Sequence, residues 1–500
     1  MVASITRYAP VAYLEANAAS RGRSPALLDS GRVISFQELE SSVKAVASQL
    51  VAEGVGAGDV VGVQLPNVWQ YVVLELAVPY VGGIILPLPL TLGEAELEHA
   101  LSASNAALAI GGAGGGDALA GVASKRETRV LDAEELCQRS HAGTAVQPPP
   151  PDPERVVEIA LTSGTTGLPK LASLTASLKQ VTFEAFTSRL EVTEDDKVLI
   201  VSPVTQGIGG MCLYCLRLGA GLVMLRRSRF DPAHVLATAE STRSTLMVGV
   251  PTNITRLLAC DEFNGAELSS VRATAVAGAP MPADVARRWE ESTGSRVCIF
   301  YGSMDAGQLA VASPSDPPEK RWHTVGRPHD CAELLICDPD GEPVPPGEVG
   351  EICMRGPTVQ DRYWGEEKGP YSEDGWAHMG DLGFLDEDGY LHVVGRLKDI
   401  IIRGGTNINP HEVEAVLRGD ARISEVCIVG RPDHDLGERA VAFVVPVAGA
   451  ELQLDDLRQH LQERGVARYK WPEFLEVVDE LPLSGPGKVN RRQLRERFAG

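Results

Sequence analysis

From the N-terminus to Ile110 the apolar positions switch repeatedly between two periods, and no other feature restricts the fold so sharply. Ser35-Phe36-Gln37-Glu38-Leu39 opens a helical stretch. A hydroxyl at the cap with Glu three residues on is a capping-box pattern, and apolar residues recur at helical spacing through Leu50. Asp59 to Leu65 alternates and then runs apolar, as a buried strand does. Val72 to Leu90 is the most apolar long stretch, yet it holds Glu75, Pro79 and two adjacent glycines. It predicts a buried helix running into a strand, not a membrane span. Strands alternating with helices predict a mixed α/β fold with largely parallel sheets.

A chain of 500 residues exceeds one compact core. Gly111 to Gly116 and the proline-rich Gln147 to Pro153 read as surface loops or linkers. A second α/β region runs from Val156 to about Ala312. Glu333 to Arg355 and Gly389 to Val394 read as short strands with Gly/Pro turns, a small β-rich subdomain at about 320–395. From Leu397 onward a separate α+β unit is expected. Its strands fall at Asp399 to Arg403, Ser424 to Val429 and Ala440 to Pro446, and its helices at Pro410 to Arg418, Leu454 to Arg464 and Asn490 to Phe498. The expected division is a large domain over 1–395 and a small one over 396–500.

The formal net charge of -21 argues against nucleic acid or an anionic membrane surface as a partner, because both are recognised through Lys and Arg. The nine cysteines stand singly apart from Cys212 and Cys215, which sit in the apolar run Met211 to Leu218 and read as core thiols. No disulfide framework or zinc pair shows in their spacing. The first residues lack a basic-then-apolar leader, so a cytoplasmic protein is expected.

Leu161-Thr162-Ser163-Gly164-Thr165-Thr166-Gly167-Leu168-Pro169-Lys170 follows the apolar run Val156 to Leu161. Glycines let successive backbone N–H groups turn inward as an anion nest. Hydroxyls add donors, and Lys170 adds a positive charge for outer phosphates. The lysine stands three residues past the last Gly, behind a Pro, so this is not the G-x-x-x-x-G-K-[ST] loop.

This segment resembles the signature loop of the adenylate-forming enzymes: acyl- and aryl-CoA synthetases, adenylation domains of peptide assembly lines, and luciferases. The resemblance extends through nearly the whole chain. Ala277-Gly278-Ala279-Pro280 resembles the segment lining the adenine and acyl pockets. Phe300-Tyr301-Gly302-Ser303-Met304-Asp305 resembles Tyr-Gly-x-Thr-Glu, which implies that Tyr301 stacks on adenine and that Gly302, Ser303 and Met304 lie against AMP. Asp305 stands where the family's Glu helps to hold Mg²⁺, with Thr166 as a second oxygen donor, and Met304 replaces the family's Thr. Trp376 to Leu382 resembles Trp-x-x-Thr-Gly-Asp, which implies that Asp381 accepts from both ribose hydroxyls. Gly395-Arg396-Leu397-Lys398-Asp399 resembles the domain junction, with Arg396 on ribose or phosphate and Lys398 as the hinge of a mobile C-terminal domain. Gly404 and Gly405 match the loop beside the pantetheine tunnel, and Lys488 matches the terminal catalytic lysine that bridges the acid and the α-phosphate. Gln206 replaces the His of many acyl- and aryl-activating relatives. With Gly207, Ile208, Val250, Gly278 and Gly302 it implies an acid pocket without a fixed charge.

The resemblance implies ATP-dependent activation of an aryl or medium-length carboxylic acid to an acyl-adenylate, with loss of pyrophosphate and transfer to a thiol. The cofactors implied are ATP, Mg²⁺ and coenzyme A or carrier-protein phosphopantetheine. Because Gly500 follows the Lys488 motif by one helix, the acceptor is expected to be external. Coenzyme A, a free-standing carrier protein and a nitrogen nucleophile such as an amine or nitrite are all open. A catalytically inactive ATP-binding regulator is the reading from another class. A monomer or homodimer is expected.

Overall fold

The capping box at Ser35 forms. Glu38 N–H donates to Ser35 Oγ at 3.3 Å, and Ser35 N–H donates to Glu38 Oε2 at 2.8 Å. The helix it opens, Phe36–Ala52, buries Phe36, Leu39, Val43, Val46 and Leu50, each contributing about 1.5–3 kcal/mol if fully buried. These coordinates are a computed structural model that describes residues 9–112, 117–126, 128–138, 146–162, 168–226, 230–304, 307–484 and 488–498. The chain forms two compact units, Met1–Leu334 with Met354–Ala377, and Leu335–Cys353 with His378–Gly500.

In the first unit, the apolar stretch resolves into helix Trp69–Tyr80 and strand Ile84–Pro87. Almost every side chain of that helix is buried, including Glu75. Lys179 Nζ lies 2.8 Å from the Glu75 carboxylate and also pairs with Glu158, so the charge is compensated inside the core. Burial still holds the Glu75 carboxyl above its usual range against the pull of Lys179. Among the described residues no helix is long and apolar enough to cross a membrane.

Two sheets build this unit. One has six strands in the order Arg129–Asp132, Leu108–Gly111, Val60–Val63, Ile84–Pro87, Val156–Thr162, Lys170–Thr175. Its strands run parallel except the last, which folds back on Val156–Thr162 as an antiparallel hairpin. The other has nine strands. Its parallel middle contains Arg296–Ser303, Ala273–Val276, Leu246–Gly249, Lys197–Ile200, Gly221–Met224 and Pro25–Asp29. Largely parallel sheets are what the alternating pattern predicted. Buried on both faces, such strands read as unbroken apolar runs.

The second unit holds a four-stranded sheet in the order Glu333–Cys337, Gly350–Arg355, Ala377–Leu385, Leu391–Arg396. It also holds a five-stranded sheet built on the long antiparallel pair Ile423–Asp433 and Gly437–Pro446. Both strands exceed their expected lengths because the pairing continues past Val429 and ahead of Ala440 into a polar hairpin end. Helices Pro410–Leu417 and Leu454–Glu463 contribute to its core through Val413, Leu417, Leu457 and Leu461.

Candidate functional site

Four adjacent parallel strands of the nine-stranded sheet deliver most of the expected pocket residues to one edge. Strand Lys197–Ile200 leads to Gln206, Gly207 and Ile208. Leu246–Gly249 leads to Val250, Ala273–Val276 leads to Gly278, Ala279 and Pro280, and Arg296–Ser303 carries Tyr301, Gly302 and Ser303. In-register pairing, Gly249 with Val276 and Val276 with Ile299, brings these carboxyl ends level. Carboxyl ends of parallel strands are where open α/β sheets bind ligands.

The loops are held from below. Asn67, buried, donates from Nδ2 to the carbonyls of Ile200 and Ser202 at 3.2 and 2.9 Å, and its Oδ1 accepts from Val204 N–H at 2.9 Å. Nothing in the sequence pattern marks Asn67, because its three partners lie more than 130 positions away. Gln206 stands in an extended conformation just before the short helix Gly207–Met211, with no side-chain cap hydrogen bond. Ile208 is buried in the main core cluster. Gly278 has φ +88, a conformation that favours glycine. The Cys212 and Cys215 thiols are fully buried, and burial drives both well above the ordinary thiol value.

The hairpin frames the phosphate-loop sequence. Thr162 and Lys170 are partners across the two strands, so the ends of the segment between them are fixed to one ladder position. Ser163, Gly164, Thr165, Thr166 and Gly167 lie outside the described residues, as does Asp305. Thr162 is buried, and its Oγ1 has no hydrogen-bond partner among the described residues. An orphaned buried hydroxyl costs roughly 1–3 kcal/mol unless something fills it. Lys170 Nζ stands 4.3 Å over the Tyr363 ring, and Tyr363 also bridges to Ala172 of the same hairpin. Tyr363 thus orients the lysine, a role that sequence reading missed.

Met304 has a packing role beside the place against AMP that the resemblance implies. Its side chain packs on Ala160, Ala172, Leu174 and Leu178, an apolar patch on the hairpin. A Thr there would lose that packing. The thioether joins the strand bearing Tyr301 to the hairpin bearing Lys170.

In the second unit, Asp381 and Arg396 are cross-strand partners, and Arg396 Nε lies 3.0 Å from Asp381 Oδ1. Each therefore orients the other. Lys398 is exposed in the turn Leu397–Asp399. Together with Gly404, Gly405, Asp435, Leu436 and Glu438 it lines an open groove of about 760 Å³. The backbone of Lys488 starts the strand Lys488–Val489, paired with Leu483–Ser484. Its side chain lies outside the described atoms.

A buried ion network ties these pieces together, and no sequence motif marks it. Arg491, just past Lys488, places Nη2 at 2.7 and 2.8 Å from the two Glu414 oxygens, and its Nη1 donates to Ile428 O at 2.6 Å. Glu414 is fully buried on helix Pro410–Leu417 and accepts from Ile428 N–H at 2.6 Å. Asp399, beside Lys398, faces His411, Arg491 and Arg495 at 3.5–3.6 Å. Burial raises the Asp399 and Glu414 carboxyls, but the His411 hydrogen bond and the arginines outweigh it, and both sit below their ordinary values. The turn with Lys398 and the segment after Lys488 are thereby locked to one frame.

Comparison with known proteins accords with this geometry. Residues 14–364 match the family model described as AMP-binding enzyme, and residues 412–488 match the AMP-binding enzyme C-terminal domain. The chain is 36% identical over 478 residues to a feruloyl-CoA synthase of Amycolatopsis sp, covering 94% of each chain. Among solved structures it resembles ATP-bound MatB from Rhodopseudomonas palustris, with 28% identity, TM-score 0.88, and 98% and 99% of the two chains covered. It also resembles the amide bond synthetase McbA from Marinactinospora thermotolerans, with 27% identity, TM-score 0.87, and 98% and 100% covered.

Proposed function

The chain belongs to the AMP-binding enzyme family, and from that premise we propose that it is an AMP-forming acid–thiol ligase acting on an aryl acid of the hydroxycinnamate type, with an uncharged tail. The observation that carries this proposal is the match of one chain to both family models, at 36% identity to a feruloyl-CoA synthase. The neutral residues Gln206, Gly207, Val250 and Gly302 at the strand ends support a substrate whose tail beyond the carboxylate is uncharged.

The acid's carboxylate attacks the ATP α-phosphorus, forming the acyl-adenylate as the bond to pyrophosphate breaks. Thr162, with its unfilled hydroxyl, and Lys170 hold outer phosphates. Ser163, Gly164, Thr165, Thr166 and Gly167 are proposed to complete that cradle. Tyr301 offers its ring to adenine, Gly278 to Pro280 line the pocket, and Asp381 takes the ribose hydroxyls with Arg396 orienting it. Lys488 opposes the charge that builds on the pentavalent phosphorus. Asp305 and Thr166 are the proposed Mg²⁺ ligands. Both are hard oxygen donors, as that ion requires, and the ion would supply positive charge to the phosphates. The coenzyme A thiol then attacks the mixed anhydride and AMP leaves, with Gly404 and Gly405 in the groove proposed to take pantetheine. Lys398 is the proposed pivot at a domain boundary near 395/396.

Pyrophosphate release over cinnamates, benzoates and aliphatic acids, with and without coenzyme A, tests this. The expected result is highest kcat/KM with cinnamates and a thioester only when coenzyme A is present. Pyrophosphate release with no thioester, and an amide when an amine is added, would move the chain to the nitrogen-acceptor reading. The likeness to an amide bond synthetase and the loss of the His at Gln206 favour that reading as the second one.

A further inference from the structure

We propose that Cys337, Glu351, Cys353 and His378 form a binding site for a zinc-class divalent cation, separate from the adenylating residues. Three neighbouring strands of the four-stranded sheet supply them: Glu333–Cys337, Gly350–Arg355 and Ala377–Leu385. Glu351 and Cys353 stand two apart on one strand, hence on one face. One ligand atom from each residue lies within 4.8 Å of all the others. The two Sγ atoms are 3.3 Å apart, Cys353 Sγ is 3.4 Å from His378 Nδ1, and His378 Nδ1 is 2.9 Å from Glu351 Oε2.

A tetrahedral zinc site with ordinary bond lengths spaces its ligand atoms by roughly 3.3–3.8 Å. The three close contacts lie within about half an ångström of that spacing, and every other pair lies within 4.8 Å, so small shifts of the side chains would bring the set to it. Two sulfurs, one imidazole nitrogen and one carboxylate oxygen suit zinc, or cobalt as its probe, and not Mg²⁺ or Ca²⁺. Burial is graded as a site with an entrance requires. Cys337 and Cys353 are 2% and 0% exposed, while the His378 and Glu351 side chains are 31% and 20% exposed. The outer partner is also in place: Glu351 Oε1 accepts from Gly380 N–H at 3.2 Å, which aims its other oxygen at the cluster. His378 lies three positions before Asp381 on one strand, so the cation would sit on the face away from the ribose carboxylate while bracing its strand. Binding displaces the thiol protons, because the ligand is the thiolate.

The test is anaerobic titration of the chelator-stripped, phosphine-reduced full chain with Co²⁺. The expected result is a thiolate-to-cobalt charge-transfer band saturating at one Co²⁺ per chain, with proton release, erased by one equivalent of Zn²⁺. Cys337→Ser should abolish the band, and Cys427→Ser, a buried thiol outside the cluster, should keep it. The wild-type titration stands whether or not Cys337→Ser folds. No band in the reduced full chain, a band that survives Cys337→Ser, or a Cys337–Cys353 disulfide persisting after reduction would each overturn the proposal.

Discussion

Replacing Arg491 with Met should weaken the second unit more than any exposed charge could. Removing one partner of a buried ion pair costs about 3–5 kcal/mol, because the remaining charge has lost both water and its counter-charge. Glu414 is fully buried, and the Arg491 contacts at 2.7 and 2.8 Å are its shortest ion-pair contacts. His411 at 3.4 Å and Arg418 at 3.3 Å remain near it, which sets the expected cost at the low end, about 3 kcal/mol. Native-state hydrogen exchange of the amides in strand Ile423–Asp433 reads this directly, since 3 kcal/mol corresponds to roughly 100-fold faster exchange. Pairing Arg491→Met with Glu414→Gln should cost less than the sum of the singles, by about 2 kcal/mol, because neither charge is then stranded. A single-variant cost under about 1 kcal/mol, the range of solvated pairs, would refute the claim that this network is desolvated and holds the Lys488 segment. The pH dependence follows. Glu414 lies below its ordinary 4.5, so its contribution is present above that pH and lost as pH falls through the lowered value. His411 lies above its ordinary 6.5: burial lowers it, but the hydrogen bonds to Asp399 and Glu414 prevail. Its contribution is present below 6.5 and lost as pH rises through the raised value. The network should therefore be strongest between about pH 4.5 and 6.5.

Lys488→Ala should lower acid-dependent ATP–pyrophosphate exchange by about 10²–10³ while sparing thioester formation from preformed adenylate, and equal loss of both half-reactions would remove Lys488 from its role. Asp381→Asn should cost roughly 10–100-fold in kcat/KM for ATP and narrow the preference over 2′-deoxy-ATP, whereas an unchanged preference would free Asp381 of ribose. Gly278→Ala forces a side chain into a left-handed backbone and should cost about 1–2 kcal/mol, so an unaltered Tm would contradict the conformation at φ +88. His329 is pushed down to about 4, first by burial and then by Arg189. Its contribution is complete above pH 6.5 and falls by roughly 3 kcal/mol as pH drops from 6.5 to 4, an acid loss that His329→Gln should abolish in a pH series of Tm values.

What is local or periodic could be read from the order of residues. The helix at Ser35 was legible because a capping box needs only four residues, and the mixed α/β class because strand and helix differ in apolar period. The phosphate-loop segment, the Tyr301 motif, Asp381 and Lys488 were legible as family motifs, since each keeps its residues contiguous. Tertiary structure alone decided what distant segments do to one another. Asn67 gained its role from a loop more than 130 residues away, and Tyr363 from a hairpin nearly 200 residues earlier. Met304 read as a missing hydroxyl, and only the fold showed that its side chain also packs on the hairpin. Cys337, Cys353 and His378, solitary along the chain, became neighbours because sheet pairing sets strands about 5 Å apart whatever their separation in sequence. The Arg491–Glu414 pair likewise came only from the fold: burial is a property of the packed unit, and no residue carries it alone.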